Sequence, residues 1–234
     1  GYASNLDSPE AIDAFISYID LYRSYKVDLF IDFQTRFRVG VAPIGIADFT
    51  MVNLLSVVAP EIEGLWDIAL VPGTERVDEN GNKYIDRSVA ADVTGSIILE
   101  KSTKKDKAWK FIKWWTSDDV QARYCAEVEA TMGQIARIPS ANKSVMYKQP
   151  WTNSQYQLLS VQRSWAKGIP EVPGGYYTLR HADNAFNRTY TLMTDPRETL
   201  LDYLDEINAE LTKKRQEMGI STIDDILKRT NTAD

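Results

Sequence analysis

The chain has 234 residues, 44% of them hydrophobic and 26% charged, which is ordinary for a globular protein and enough for one large domain or two small ones. Its formal net charge of −6 argues against a general phosphate-backbone binder, because such a protein presents a basic face to nucleic acid. No stretch approaches the roughly 18–20 uninterrupted apolar residues of a membrane span. The single cysteine, Cys125, excludes an intrachain disulfide.

In chain order, the pattern predicts helices that alternate with a few short strands. Ser8-Pro9-Glu10 marks the first helix start, because serine caps, proline suits the first helical position and glutamate complements the helix dipole. Apolar, β-branched runs predict three strands, at residues 41–46, 66–71 and 94–99. Asn80-Gly81 predicts a type I′ turn that joins a hairpin.

Apolar residues at helical spacing predict the remaining helices. They cover residues 33–37, 51–58, 103–115, 118–130, 141–147, 151–167 and 183–193, with a short helical tail over 219–234. Residues 169–177 are rich in proline and glycine and predict a loop. Asp195-Pro196-Arg197-Glu198 opens the last long helix with an aspartate cap, a proline at the first position and a glutamate in the first turn. The pattern favours an α/β or α+β class.

Several stretches of the chain carry sequence motifs in the same order as in a known protein family. The most specific match is Ala108-Trp109-Lys110-Phe111-Ile112-Lys113-Trp114-Trp115-Thr116-Ser117, followed by Val120-Gln121. The other stretches are residues 6–11 with 19–22, 37–46, 66–73 and 133–140. Together they resemble the second half of the family 1 extracellular solute-binding proteins, the receptors that hand a solute to a bacterial ABC importer.

The resemblance implies an α/β fold of the periplasmic-binding-protein-like (type II) class, mainly the helix-rich C-terminal lobe plus the return segment of the N-terminal lobe. Residues 1–90 would form the first part of the C-terminal lobe, 91–138 the crossover and the N-terminal-lobe return segment, and 139–234 the helical completion of the C-terminal lobe. Such a receptor binds its solute in a cleft between two lobes by hinge closure, without covalent chemistry.

The resemblance also implies partners and a location. The expected partners are a carbohydrate ligand, with an oligosaccharide favoured, and the membrane permease of an ABC importer. We expect no nucleic acid, no cofactor and no metal, and a monomer. The expected location is extracellular or periplasmic, with a lipid anchor on an N-terminal segment. The first residues show no signal-peptide pattern, so we expect this sequence to begin inside a larger protein.

Three groups of residues are the candidate ligand contacts, because sugar sites combine flat aromatic faces with planar polar side chains. Residues 174–184 have that composition in a predicted loop. Their candidates, with Asn187 one helical turn further on, are Tyr176, Tyr177, Arg180, His181, Asp183, Asn184 and Asn187. The alternative interpretation is that the tyrosines pack a lobe edge and that Arg180 pairs with a surface acid.

The other two groups lie next to predicted strands: Asp48 and Phe49 follow the strand at 41–46, and Asp92 and Thr94 lie just before and at the start of the strand at 94–99. By resemblance, Phe49 would stack on the ligand and Asp48 would hydrogen-bond to it, although Asp48 also fits a helix cap. Asp92 and Thr94 lie where the family's chain crosses between lobes, so they are candidates for the cleft or for the hinge.

The residue content also bears on functions other than that of a receptor. A Ser/His/Asp triad would have to use His181, the only histidine, and no G-x-S-x-G motif is present. A zinc site needs several His or Cys ligands, and the chain has one of each. Sequence does not pair the acidic residues, so a carbohydrate-active enzyme with an α-rich body stays open. An interaction module without a solute also stays open, and burial of residues 176–184 against their own core would favour it.

Overall fold

The computed structural model describes residues 1–91 and 94–221, and among these residues it contains nine α-helices and four short strands. The chain divides into two compact units. Unit 1 consists of residues 1–31 and the segment from Pro170 onward, and unit 2 of residues 32–169. Asp92 and most of the predicted tail, 222–234, lie outside the described residues. The predicted lobe segments have other boundaries, and their assignment stays a prediction.

Unit 1 is built from three helices: α1 (Pro9–Arg23), α8 (Gly175–Leu192) and α9 (Pro196–Glu217). Both predicted caps are confirmed. The Ser8 hydroxyl accepts a hydrogen bond from the backbone N–H of Ala11 at 3.2 Å, and the Asp195 carboxylate accepts one from that of Glu198 at 2.9 Å. Helix α9 supplies most of the buried apolar side chains, namely Leu200, Leu204, Ile207 and Leu211. Helix α1 adds Ile19 and helix α8 adds Ala185.

Unit 2 contains the other six helices and all four strands. Its helices are α2 (Phe33–Arg38), α3 (Met51–Val58), α4 (Lys105–Trp115), α5 (Asp118–Met132), α6 (Lys143–Lys148) and α7 (Asn153–Ser164). Two short 3-10 helices cover Pro60–Ile62 and Gln134–Ala136. The buried apolar side chains of the unit are Val52, Leu55, Ala59, Val145, Met146 and Leu159. These residues lie on α3, α6 and α7, except Ala59, which directly follows α3.

The predicted hairpin is confirmed, but its turn is different. Strands β1 (Thr74–Val77) and β2 (Lys83–Asp86) pair antiparallel, with Val77 opposite Lys83. A type I′ turn needs positive φ at two central residues, and only Gly81 has it, at 83°. The Asp78 carboxylate instead accepts hydrogen bonds from the backbone N–H groups of Asn80 and Asn82, at 2.9 and 2.8 Å. The prediction failed because this side chain organises a longer loop.

The α/β sheet that the sequence predicted is not formed by the described residues, and helices make up 54% of the structure. The described residues form only two two-stranded sheets, the hairpin and a parallel pair of β3 (Val89–Ala90) with β4 (Ala166–Lys167). Residues 41–46, 66–71 and 94–99 join neither sheet. A strand forms only where a neighbour takes up its backbone hydrogen bonds. Without one, apolar side chains such as Ile44 and Ile97 stay 87% and 82% exposed.

The predicted loop at 169–177 is also corrected in part. Helix α8 begins at Gly175, eight residues before the predicted start at Asp183. Gly174 precedes it with a φ of 82°, a conformation that glycine adopts without steric cost and that turns the chain into the helix. The adjacent glycines therefore mark a helix start and not the middle of a loop.

Candidate ligand site

An open cavity of about 420 Å³ lies in unit 2 at the start of α3. Its lining residues are Ala47, Asp48, Thr50, Met51, Leu54 and Ile135. Helix α3 supplies Met51 and Leu54, the extended segment before it supplies Asp48, and the second 3-10 helix supplies Ile135. The volume falls within the range of about 300–1,000 Å³ of small-molecule pockets, which are mostly apolar with a few polar groups. One carboxylate and one hydroxyl among four apolar side chains match that composition.

Asp48 lines this cavity with a side chain that the fold does not use. It is exposed, and none of the described residues hydrogen-bonds its carboxylate or pairs with it. The helix cap that the sequence offered as an alternative is not formed, since the N-cap of α3 is Thr50 and no side chain caps that end. Asp48 contributes only its backbone carbonyl, which accepts a hydrogen bond from the N–H of Met51 at 2.9 Å. Its carboxylate is therefore free to accept hydrogen bonds from a ligand.

Phe49 belongs to an aromatic layer beside the cavity. Its ring is half-buried and meets the Trp151 ring at 70°, with the centroids 5.2 Å apart. The Arg137 guanidinium lies 5.1 Å from the centroid of the same Trp151 ring. Phe49 is not among the residues that line the cavity, so its stacking on a ligand stays a prediction. The ring packing accounts for its burial.

Asn53 fixes the two walls of the cavity to one another. It is completely buried on α3, and its side-chain amide donates a hydrogen bond to the backbone carbonyl of Arg137 at 2.6 Å. The segment that carries Ile135 is thereby held against the helix that carries Met51 and Leu54. Sequence reasoning missed Asn53 and Ile135, because neither contact is local. The only sequence feature that pointed to this segment was the motif at residues 133–140, which contains Ile135 and Arg137.

The predicted aromatic residues of unit 1 lie on α8 and pack partly against α9. Tyr177 and His181 are half-buried, with ring centroids 6.0 Å apart, and the His181 ring is 5.6 Å from that of Tyr203 on α9. The Nδ1 atom of His181 lies 3.4 Å from a carboxylate oxygen of Glu206. A hydrogen bond between Tyr176 and Tyr177 raises the pKa of the exposed Tyr176 phenol. These ring contacts account for the partial burial of Tyr177 and His181, whereas the buried Nδ1 atom of His181 has no hydrogen-bond partner among the described residues.

The polar candidates of α8 remain at the surface. They are Arg180, Asp183, Asn184 and Asn187. Asn184 and Asn187 share one face of the helix, as their spacing predicted, and Arg180 lies 5.4 Å from the centroid of the Tyr177 ring. All of the α8 candidates belong to unit 1, whereas Asp48, Phe49 and the exposed Thr94 belong to unit 2. Their role as ligand contacts stays a prediction.

The described part of the chain also gives information on metal binding, thiol reactivity and membrane-spanning helices. No group of three or more His, Cys, Asp or Glu side chains there could hold a metal ion. Burial raises the pKa of the Cys125 thiol, which lowers the fraction of reactive thiolate at neutral pH. None of the described helices has both the length and the apolar composition that crossing a bilayer requires.

No protein-family model and no curated protein matches this chain. The resemblance to solute-binding proteins therefore rests on the sequence motifs themselves.

Proposed function

We propose that the chain binds a carbohydrate as the solute-binding receptor of an ABC import system, and that the Asp48 cavity is part of its sugar site. The observation that carries the proposal is that the Asp48 carboxylate, which has no partner among the described residues, lines a cavity that is otherwise mostly apolar. A sugar ring has an apolar face and a rim of hydroxyl donors. Met51, Leu54 and Ile135 suit the face, and the carboxylate accepts hydrogen bonds from the rim.

The sequence motifs supply the wider context of the proposal. In the family that they resemble, the segment at Asp48-Phe49-Thr50 follows a strand and opens a helix where a ligand-stacking aromatic side chain often lies. On this proposal the chain corresponds mainly to the C-terminal lobe of a type II receptor, with the return segment of the N-terminal lobe. The protein would hand its solute to a membrane permease outside the cytoplasm. Hinge closure around the solute would provide the signal for transfer.

Tryptophan fluorescence can test the proposal selectively, because all six tryptophans of the chain lie in unit 2. The protein would be titrated with glucose, galactose, maltotriose and cellobiose while the emission of unit 2 is recorded. We expect at least one sugar to change the emission saturably and to raise the melting temperature, since a ligand that binds only the native state stabilises it.

The matched variants for this test are Asp48→Asn and Asp67→Asn. Both aspartates are exposed and lie in extended segments of unit 2, but only Asp48 lines the cavity. Asp48→Asn should weaken sugar binding and Asp67→Asn should leave it unchanged. The proposal fails if no sugar changes either signal, and it also fails if shortened oligosaccharides accumulate during incubation, because that outcome identifies a carbohydrate-active enzyme.

A further inference from the structure

We propose that the Asp48 cavity selects its ligand by charge and binds an amino sugar more tightly than the neutral sugar of the same shape, and both more tightly than the acidic one. This inference rests on the proposed function and names the class of ligand for the same site. The sugar ring would occupy the apolar wall, and a ligand ammonium group would pair with the Asp48 carboxylate.

The charge of the lining residues supports this selection. Asp48 is the one ionisable residue among the six that line the cavity, and the other polar group is the neutral Thr50 hydroxyl. No described cation pairs with Asp48. An ammonium group on the ligand would therefore pair with this carboxylate without displacing any of the described side chains. An acidic ligand would instead meet a like charge without any cation in the lining to offset it.

The cation that the contacts link to this region is Arg137, and its charge is already balanced. Arg137 stacks on Trp151, which contacts Phe49, the residue next to Asp48. Its guanidinium binds both carboxylate oxygens of Glu129, and the two side chains are only 10% and 22% exposed. A bidentate pair of this kind holds its geometry and cancels most of its own field. Arg137 consequently does not neutralise the negative charge that Asp48 places on the cavity.

The size of the effect follows from the exposure of Asp48. Solvent screens a carboxylate at an open rim, so the pair with a ligand ammonium group should resemble a surface salt bridge rather than a buried one. The expected gain for the amine is about two- to fivefold in Kd. It should shrink when the ionic strength rises to about 0.15 M, whereas the binding of a neutral sugar should not respond.

Three sugars with one ring shape and different charges provide the test: glucosamine, glucose and glucuronate. Their Kd values would be measured by tryptophan fluorescence in mildly acidic buffer, where the amine is protonated, at low and at physiological salt. We expect glucosamine to bind most tightly and glucuronate most weakly. Asp48→Asn should bring the three Kd values to within about twofold of one another, and Asp67→Asn should preserve their order.

The outcomes separate this inference from the function on which it rests. Equal binding of glucosamine and glucose overturns charge selection and leaves carbohydrate binding intact. Preserved charge order in Asp48→Asn overturns the assignment of that selection to Asp48. Absence of glucosamine binding also overturns the inference, and in this experiment the proposed function is overturned when every neutral sugar fails to bind as well.

Discussion

Replacing Arg137 with alanine should destabilise unit 2 far more than replacing Arg123, although each arginine pairs with a glutamate of α5. Arg137 binds Glu129 of α5 through Nε at 2.9 Å and through a second contact from Nη2, and its Nη1 donates to the Pro150 carbonyl at 2.8 Å. Its guanidinium also covers the Trp151 ring. One side chain thus links α5, the segment after the second 3-10 helix and the start of α7.

The magnitude follows from the burial of the pair. Removing one partner of a fully buried ion pair costs about 3–5 kcal/mol, because an uncompensated charge remains. The side chains of Arg137 and Glu129 are 10% and 22% exposed, so we expect a smaller loss, about 2–3 kcal/mol, for Arg137→Ala. The control is Arg123→Ala. Arg123 pairs with Glu127 on α5, with side chains 81% and 63% exposed, and its loss should cost about 0–0.5 kcal/mol.

Urea unfolding followed by tryptophan emission measures the difference in unit 2, which holds all the tryptophans. Arg137→Ala with Glu129→Gln completes a double-mutant cycle that isolates the pair from the other Arg137 contacts. The double variant should be more stable than the sum of the two single losses predicts. Equal midpoints for Arg137→Ala and Arg123→Ala would refute the reasoning, since burial would then not govern the cost.

Three further predictions concern the two units separately. Ile207→Ala should destabilise unit 1 by about 2–5 kcal/mol, because Ile207 is fully buried on α9, while the exposed Leu179→Ala should stay within about 0.5 kcal/mol in the same circular-dichroism melts. Hydrogen bonds from Ser144 and Asn142 lower the pKa of Asp118. The resulting stabilisation is complete above the unfolded-state pKa of about 3.9 and is lost as the pH falls from there through the lowered folded-state pKa. Acid titration of Asp118→Asn should lack that part of the decline, and an unchanged titration would contradict it. The raised pKa of Cys125 means that a thiol reagent at mildly alkaline pH should react more slowly with the folded than with the urea-unfolded chain, and equal rates would exclude this.

The parts of the fold that sequence predicted correctly depend on local signals. The caps at Ser8 and Asp195 each satisfy an N–H group three residues away, so the residues that make the contact are visible in the sequence. The apolar stripe of α9 is also a local signal, because its buried residues Leu200, Leu204, Ile207 and Leu211 repeat at helical spacing in the sequence.

The failures arose where structure depends on a distant partner. Residues 41–46 and 94–99 have strand-like composition, yet composition does not supply the neighbour that a ladder needs. Asn53 shows the same dependence on a distant partner in the candidate site, because its bond to Arg137 spans 84 residues. The type I′ turn was wrong for a local reason, since the Asp78 side chain competes with the turn that Asn80-Gly81 alone would favour.

The role of Asp48 could be predicted from the sequence only in part, and the structure excludes one of its two explanations. Its position before α3 was visible in the sequence, where a ligand contact and a helix cap explained it equally well. The structure removes the cap, because Thr50 occupies that position without a side-chain bond. It also shows no ion pair with any described residue, so folding does not account for the choice of aspartate. On the proposed function, this carboxylate accepts hydrogen bonds from a sugar at a cavity that is otherwise mostly apolar, and the Asp48→Asn variant tests that role directly.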